Sequence, residues 1–404
     1  MNFRLLAPIL VMLGMAILTG QAAAQHAEHA RTFSARKAVG LSVGAAFSPI
    51  GDLWLAGLDE QSRLFVQSTP DSGKTWSARR ILDVRGDAIS ADGENRPKIA
   101  FGRNGVVVVT YTKPLSKPYT GDIRMLRSSD SGKTFSAPFT VHDDRQLITH
   151  RFESVKFDRN GDLYVLWVDK RDAEVARQRG GGRRDAYDGA AIYGKVSRDG
   201  GTTFGPDLKL ADHSCECCRI AIVERIDSPD LVALWRHVFP NSIRDHAFAA
   251  LSSLGKERPP QRASRDEWEL GACPHHGPGL ANAADGGYHM VWFGQRNGVA
   301  SAHYGRLDPS GVPVGVVREL PDDMAEHADV VSAGRKLAVV WRSFDGKRTR
   351  VRAWVSGDDG ATFSTRDLMS SERDNDHPRM AMHGDTPYVV WRTERETHVQ
   401  QLHW

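Results

Sequence analysis

The chain has 404 residues, with 53 Lys and Arg against 50 Asp and Glu and a formal charge of +3. That balance is too small to argue for nucleic acid, and no basic tail or nucleic-acid motif accompanies it. Hydrophobic residues at 40% and charged residues at 25% are those of a soluble globular protein, and 38 glycines suit a fold with many turns.

The N-terminus reads as an export signal. Arg4 supplies a short positive region, and residues 5–18 form an apolar run of roughly 14 residues, too short for a comfortable membrane span. Ala22, Ala23 and Ala24 ahead of Gln25 make a small-residue cleavage site. Residues 1–24 are therefore expected to be a signal peptide and 25–404 one domain. No Cys follows the apolar run, which argues against a lipoprotein, and no later segment is apolar enough to span a bilayer. The expected location is the periplasm or outside the cell, where disulfides are permitted.

Repeats dominate the mature chain. Residues 69–76 (TPDSGKTW), 128–135 (SSDSGKTF), 197–204 (SRDGGTTF) and 356–363 (SGDDGATF) share the pattern S/T-x-D-x-G-x-T-F/W. The Asp carboxylate can accept hydrogen bonds from its own turn, the Gly supplies a backbone angle closed to other residues, and the aromatic fills space between strands. Each such turn ends a longer unit. A short apolar strand comes first, then a Gly turn, then a second strand ending in an aromatic: residues 163–167 (LYVLW), 231–235 (LVALW), 288–292 (YHMVW), 337–341 (LAVVW) and 388–391 (YVVW). Starts fall near residues 42, 97, 153, 218, 278, 328 and 378. The spacing of roughly 50–65 residues is that of a four-stranded blade.

These observations predict an all-β protein, a single β-propeller of seven blades with six as the alternative, and no competing helical periodicity. Residues 32–38 (TFSARKA) resemble 75–81 (TWSARRI), so an N-terminal strand is expected to complete a short last blade. Closure of this kind removes exposed sheet edges.

The four repeat turns resemble the Asp boxes, or BNR repeats, of the sialidase superfamily. The resemblance implies a propeller whose Asp boxes lie on one face and whose active site lies on the other. On that second face, entries to the innermost strands carry Glu94-Asn95-Arg96, His150-Arg151-Phe152-Glu153, His213-Ser214-Cys215-Glu216-Cys217-Cys218, Cys273-Pro274-His275-His276, Glu326-His327 and Asp376-His377. All four cysteines of the chain thus fall in the entries of two adjacent blades.

Clustered thiolates and imidazoles are metal ligands by type. Cys215, Cys217, Cys218 and Cys273 are the expected core ligands, with His275, His276 and His213 next, and His327 and His377 as pocket residues. Soft sulfur favours copper(I), with zinc as the alternative. The function this suggests is metal acquisition or trafficking without chemistry of its own. The partners would be the ion and an outer-membrane transporter or periplasmic metal carrier, the protein acting as a monomer. Other readings remain open: two disulfides, one of them Cys218–Cys273; one disulfide with two thiolate ligands; or a redox role. The insertion at 169–188 is rich in arginine and reads as a lid or a solvated loop. Residues 235–237 (WRH) and 244–246 (RDH) would line the pocket or orient its ligands.

The resemblance also implies a glycan-directed alternative, a sialidase-like hydrolase or a glycan-binding propeller on the same face. Its residues would be Arg96, Arg151, Glu153 and Asp169. Sialidases, however, use three arginines and a tyrosine nucleophile. The first innermost strand (LSVGAAF, 41–47) has no arginine, and Tyr388 lies inside a second strand.

Overall fold

The computed structural model describes residues 40–179 and 189–404. Second strands are apolar on both faces, as in residues Leu163–Asp169 and Leu231–Arg236, because each is covered by a blade on either side. First strands are half-buried and line the axis. Hydrogen bonding joins the strands into seven antiparallel sheets in simple sequential order, at 44–81, 98–140, 150–214, 221–262, 279–319, 326–371 and 379–401. Six sheets have four strands and the last has three among the described residues. The protein is a seven-bladed β-propeller, and the sequence periodicity located every blade start within three residues. The six-bladed alternative is set aside. The strand expected from residues 32–38 lies outside the described residues.

The apolar core is divided among the blade interfaces. One cluster joins blades one and two through Leu64, Val66, Val107 and Tyr111, and others lie at each successive interface. A further one, with Val43, Leu53, Leu55, Ala381 and Val390, joins blade seven to blade one and closes the ring. Trp167, Trp341 and Trp391 lie fully buried in the second halves of their second strands, which run on to Asp169, Phe344 and Arg392, and each indole N–H finds an acceptor: Asp169 Oδ2, Asp322 Oδ2 and the Asp376 carbonyl, respectively.

The four repeat turns share one hydrogen-bond pattern. Asp71 accepts from Thr75 N (2.8 Å) and Thr75 Oγ1 (2.7 Å), while Thr69 Oγ1 donates to Asp71 and accepts from Gly73 N. Asp130, Asp199 and Asp358 do the same with Thr134, Thr203 and Thr362. All four join third to fourth strands, and so mark one face of the ring. Their glycines seat the turn on the preceding blade. A Cβ on Gly132 would meet Trp54, and one on Gly73 would meet Val399 of blade seven.

One departure from the all-β expectation is a helix, α1 (Arg171–Gln178), in the arginine-rich insertion. It is short, begins with Asp172 and Glu174 and ends with Arg177, the order that suits a helix dipole. Residues 180–188 of that insertion lie outside the described residues.

Candidate functional site

The entries to the innermost strands converge at the axis, on the face opposite the repeat turns. They frame a cavity of about 630 Å3, lined among others by Asp92, Glu94, Tyr119, Arg151, Cys217 and Cys273, with His275, His327 and His377. A second recess, of about 510 Å3, lies away from the axis between the outer parts of blades six and seven and holds no comparable cluster.

Glu94 is the hub of one half of the site. Its carboxylate accepts from Arg219 Nη1 at 2.9 Å and lies 3.2 Å from His327 Nδ1 and 3.5 Å from His377 Nδ1. Four blades meet there. Burial opposes ionisation of Glu94, but Arg219, His327 and His377 outweigh it and hold the carboxyl well below its usual range. Burial in turn pushes both imidazoles, and that of His276, well below the ordinary histidine value, so all three are neutral with lone pairs to offer. The rings stack, His276 on His327 at 4.2 Å and His327 on His377 at 3.3 Å. His276 Nδ1 and His377 Nδ1 are buried without a hydrogen-bond partner. Gly93 permits this crowding, because a Cβ there would stand 2.7 Å from His377 Nε2.

The sulfurs form the other half. Cys217 and Cys273 are joined in a disulfide between blades four and five, with Cα atoms 6.3 Å apart, while Cys215 and Cys218 are buried free thiols. The bridge expected as Cys218–Cys273 is therefore Cys217–Cys273. Cys215, Cys217 and Cys218 all sit in the apolar cluster between blades three and four, with Cys273 packed against it, and of the three only Cys217 also lines the cavity beside Cys273. Cys215 Sγ lies 3.7 Å from Cys217 Sγ, 3.6 Å from Cys273 Sγ and 3.9 Å from Cys218 Sγ. Cys218 donates its S–H to Cys215; that bond, with Arg236 and Arg244, holds the Cys215 thiol down, and the same bond together with burial pushes the Cys218 thiol up.

The seven residues expected to ligate a metal thus divide. The four sulfurs come together. His276 joins the imidazole group with His327 and Glu326. His275 is exposed on the cavity rim and His213 lies beside His237. His327, His275 and His213 all hold left-handed backbone angles (φ 52°, 57° and 54°), a conformation that costs of order 1–3 kcal/mol in a residue with a side chain and gathers at functional sites.

The residues of the glycan-directed alternative do not assemble. Arg96 is spent on Asp376, Glu153 is buried against Thr110, Thr112 and Lys98, and Asp169 is held by Trp167 and Arg171. Of the four, Arg151 alone lines the cavity. Tyr388 of blade seven packs on Phe47 of blade one, at the interface that closes the ring. Arg236, buried, donates to backbone carbonyls of Arg244 and His276, and Asp245 is tied to Arg262, so both act as framework.

Sequence reasoning named Glu94 in the same entry as Arg96 but gave it no role, and it passed over Arg219 and Tyr119. A third candidate cluster, Asp122, His142 and His150, is structural. The two His142 nitrogens are taken, Nε2 accepting from Ile123 N–H at 3.2 Å and Nδ1 donating to the Asp144 carbonyl at 2.7 Å.

No protein-family model and no curated protein sequence matches the chain. Solved structures do match it. An ulvan lyase from a family of polysaccharide lyases superposes with a TM-score of 0.56 at 12% identity, covering 90% of this chain and 92% of that one. A leech intramolecular trans-sialidase superposes with 0.51 at 8% identity, covering 87% and 82%. A Hadza microbial sialidase superposes with 0.50 at 14% identity, covering 87% and 73%. The fold is that of the sialidase-like propellers. At these identities the likeness concerns architecture, and function must be argued from the site.

Proposed function

We propose that this propeller binds a soft transition-metal ion at the axis mouth, with Cys215 and Cys218 as thiolate ligands. The observation that carries the reading is the gathering of four sulfurs, each within 3.9 Å of at least one other, beside three neutral imidazoles and a carboxylate. Soft donors select copper(I), with zinc as the alternative. Opening of the Cys217–Cys273 bond would add two more thiolates. An exported protein with such a site suits metal acquisition or trafficking, with an outer-membrane transporter or a periplasmic carrier as partner. The test is the copper and zinc content of protein purified without a histidine tag, compared with a Cys215→Ser/Cys218→Ser variant. One equivalent of copper in the parent and none in the variant is expected; equal content in the two overturns the reading.

A second reading is a glycan-directed one, and structural likeness favours it over the first. An ulvan lyase, sialidases and an α-L-arabinanase in complex with arabinobiose share the fold. The cavity is large enough for a sugar unit, and Arg151, Tyr119 and Asp92 stand on its rim. Among the described residues, Arg151 is the one Lys or Arg in the cavity lining, placed to meet a substrate carboxylate.

A further inference from the structure

We propose that Cys215, Cys217 and Cys273 form a thiol–disulfide exchange centre that takes small thiols or the dithiol of a redox partner as substrate. A disulfide that only staples two blades needs two sulfurs. Here a third, Cys215, touches both ends of the bond, at 3.7 Å from Cys217 Sγ and 3.6 Å from Cys273 Sγ, and a fourth, Cys218, lies 3.8 Å from Cys217 Sγ. Thiol–disulfide exchange proceeds by attack of a thiolate on a disulfide sulfur, so contact between the attacking and receiving sulfurs is its first geometric requirement.

Access differs on the two sides of the bond. Cys217 and Cys273 both line the cavity and Cys273 is partly exposed, while Cys215 and Cys218 are buried at 1% and 3% exposure. A thiol from solution therefore reaches the disulfide from the cavity, and Cys215 reaches it from within. Two steps follow. In the internal step, Cys215 Sγ as thiolate attacks Cys273 Sγ, the Cys215–Cys273 bond forms, the Cys217–Cys273 bond breaks, and Cys217 leaves with the electron pair; no net oxidation occurs. In the external step, one thiolate of a dithiol attacks Cys273 and expels Cys217. The second thiolate then attacks its own partner sulfur in the mixed disulfide and releases Cys273. The dithiol ends as a disulfide, and the protein has gained two electrons and two protons as four free thiols.

This centre does not depend on metal binding, and its failure would leave the copper assay unaffected. The experiment equilibrates the intact protein with reduced and oxidised glutathione over a range of ratios. Exchange is quenched with acid, thiols are alkylated under denaturing conditions, and the cross-linked peptides are mapped. The Cys217–Cys273 pair is expected together with a second pair, Cys215–Cys273. In Cys215→Ser the second pair is expected to be lost while the first persists. Detection of Cys217–Cys273 alone in the parent, at every ratio up to full reduction, overturns the proposal. Cys217→Ser, checked for folding by thermal melting, is expected to form Cys215–Cys273 on oxidation; three free thiols in that folded variant would also overturn it.

Discussion

Arg96 of blade two and Asp376 of blade seven grip each other through two parallel hydrogen bonds, Nη1 to Oδ2 at 2.8 Å and Nη2 to Oδ1 at 3.0 Å. Asp376 also accepts from Ser42 Oγ and Val43 N of blade one. The pair is buried, with side chains 8% and 1% exposed, and it ties the first, second and last blades together at the mouth of the axis. Breaking a buried pair strands one charge and costs about 3–5 kcal/mol. Arg96→Ala is therefore expected to lower stability by that amount in urea unfolding. Arg96→Ala/Asp376→Ala should cost less than the sum of the single changes, which a double-mutant cycle reads directly. A small, additive effect would show that the pair does not hold the ring.

The repeat turns make a sharper demand on single residues. Gly360 has φ +81°, and a Cβ there would run into the Tyr304 hydroxyl of the preceding blade. Gly360→Ala is expected to destabilise by about 1–3 kcal/mol from backbone strain, before any cost of moving the tyrosine. Gly357, in the same motif, faces open space with no such backbone angle, and Gly357→Ala should stay within about 0.5 kcal/mol. Equal unfolding midpoints for the two variants would refute the seating role of the turn.

Much of this architecture was legible in the sequence because it rests on local chemistry. Asp130, Gly132 and Phe135 each do a job that a spacing of a few residues defines, and four copies fix the period. The gathering of cysteines and histidines at one rim followed from the period too. What could not be read was the choice of partners across the axis. Arg96 was a candidate for a substrate carboxylate until Asp376, 280 residues away, took it. Glu94 carried no local signal, since its meaning comes from Arg219, His327 and His377 on three other blades. Pairing of Cys217 rather than Cys218 with Cys273 turned on which side chain faced the cavity in a non-repetitive loop, where no period applies. Helix α1 is too short to leave a periodic trace.

Buried imidazoles set the pH range of the fold. Burial holds His142 and His237 down to about 3 and His289 to about 4, whereas an unfolded chain protonates histidine near ~6.5. Below that value the unfolded state binds more protons than the folded one. Stability is then full above ~6.5 and falls with pH, by up to ~1.4 kcal/mol per pH unit for each such histidine. Asp71, held to about 2 by its hydrogen bonds from Thr75, titrates below this window. Urea midpoints are expected to drop between pH 7.5 and pH 5. A constant midpoint over that interval would mean that the imidazoles are already charged in the fold.

The glycan-directed reading turns on Arg151. Its guanidinium lies 3.5 Å from Asp92, whose side chain is 66% exposed, and 4.9 Å from the Phe152 ring. The Arg151 side chain itself is 14% exposed, but the pair is loose at 3.5 Å and open on the Asp92 side, so it contributes little to stability, and the guanidinium remains available to a carboxylate entering the cavity. An oligosaccharide bearing a uronate or a sialate is expected to bind in the cavity, with affinity falling about tenfold (~1.4 kcal/mol) in Arg151→Ala while the melting temperature stays unchanged. A neutral oligosaccharide should bind parent and variant alike, because it offers the guanidinium no charge. Titration calorimetry distinguishes the cases. Absence of binding by the parent across acidic glycans would remove this reading and leave the cavity to the metal and the thiols.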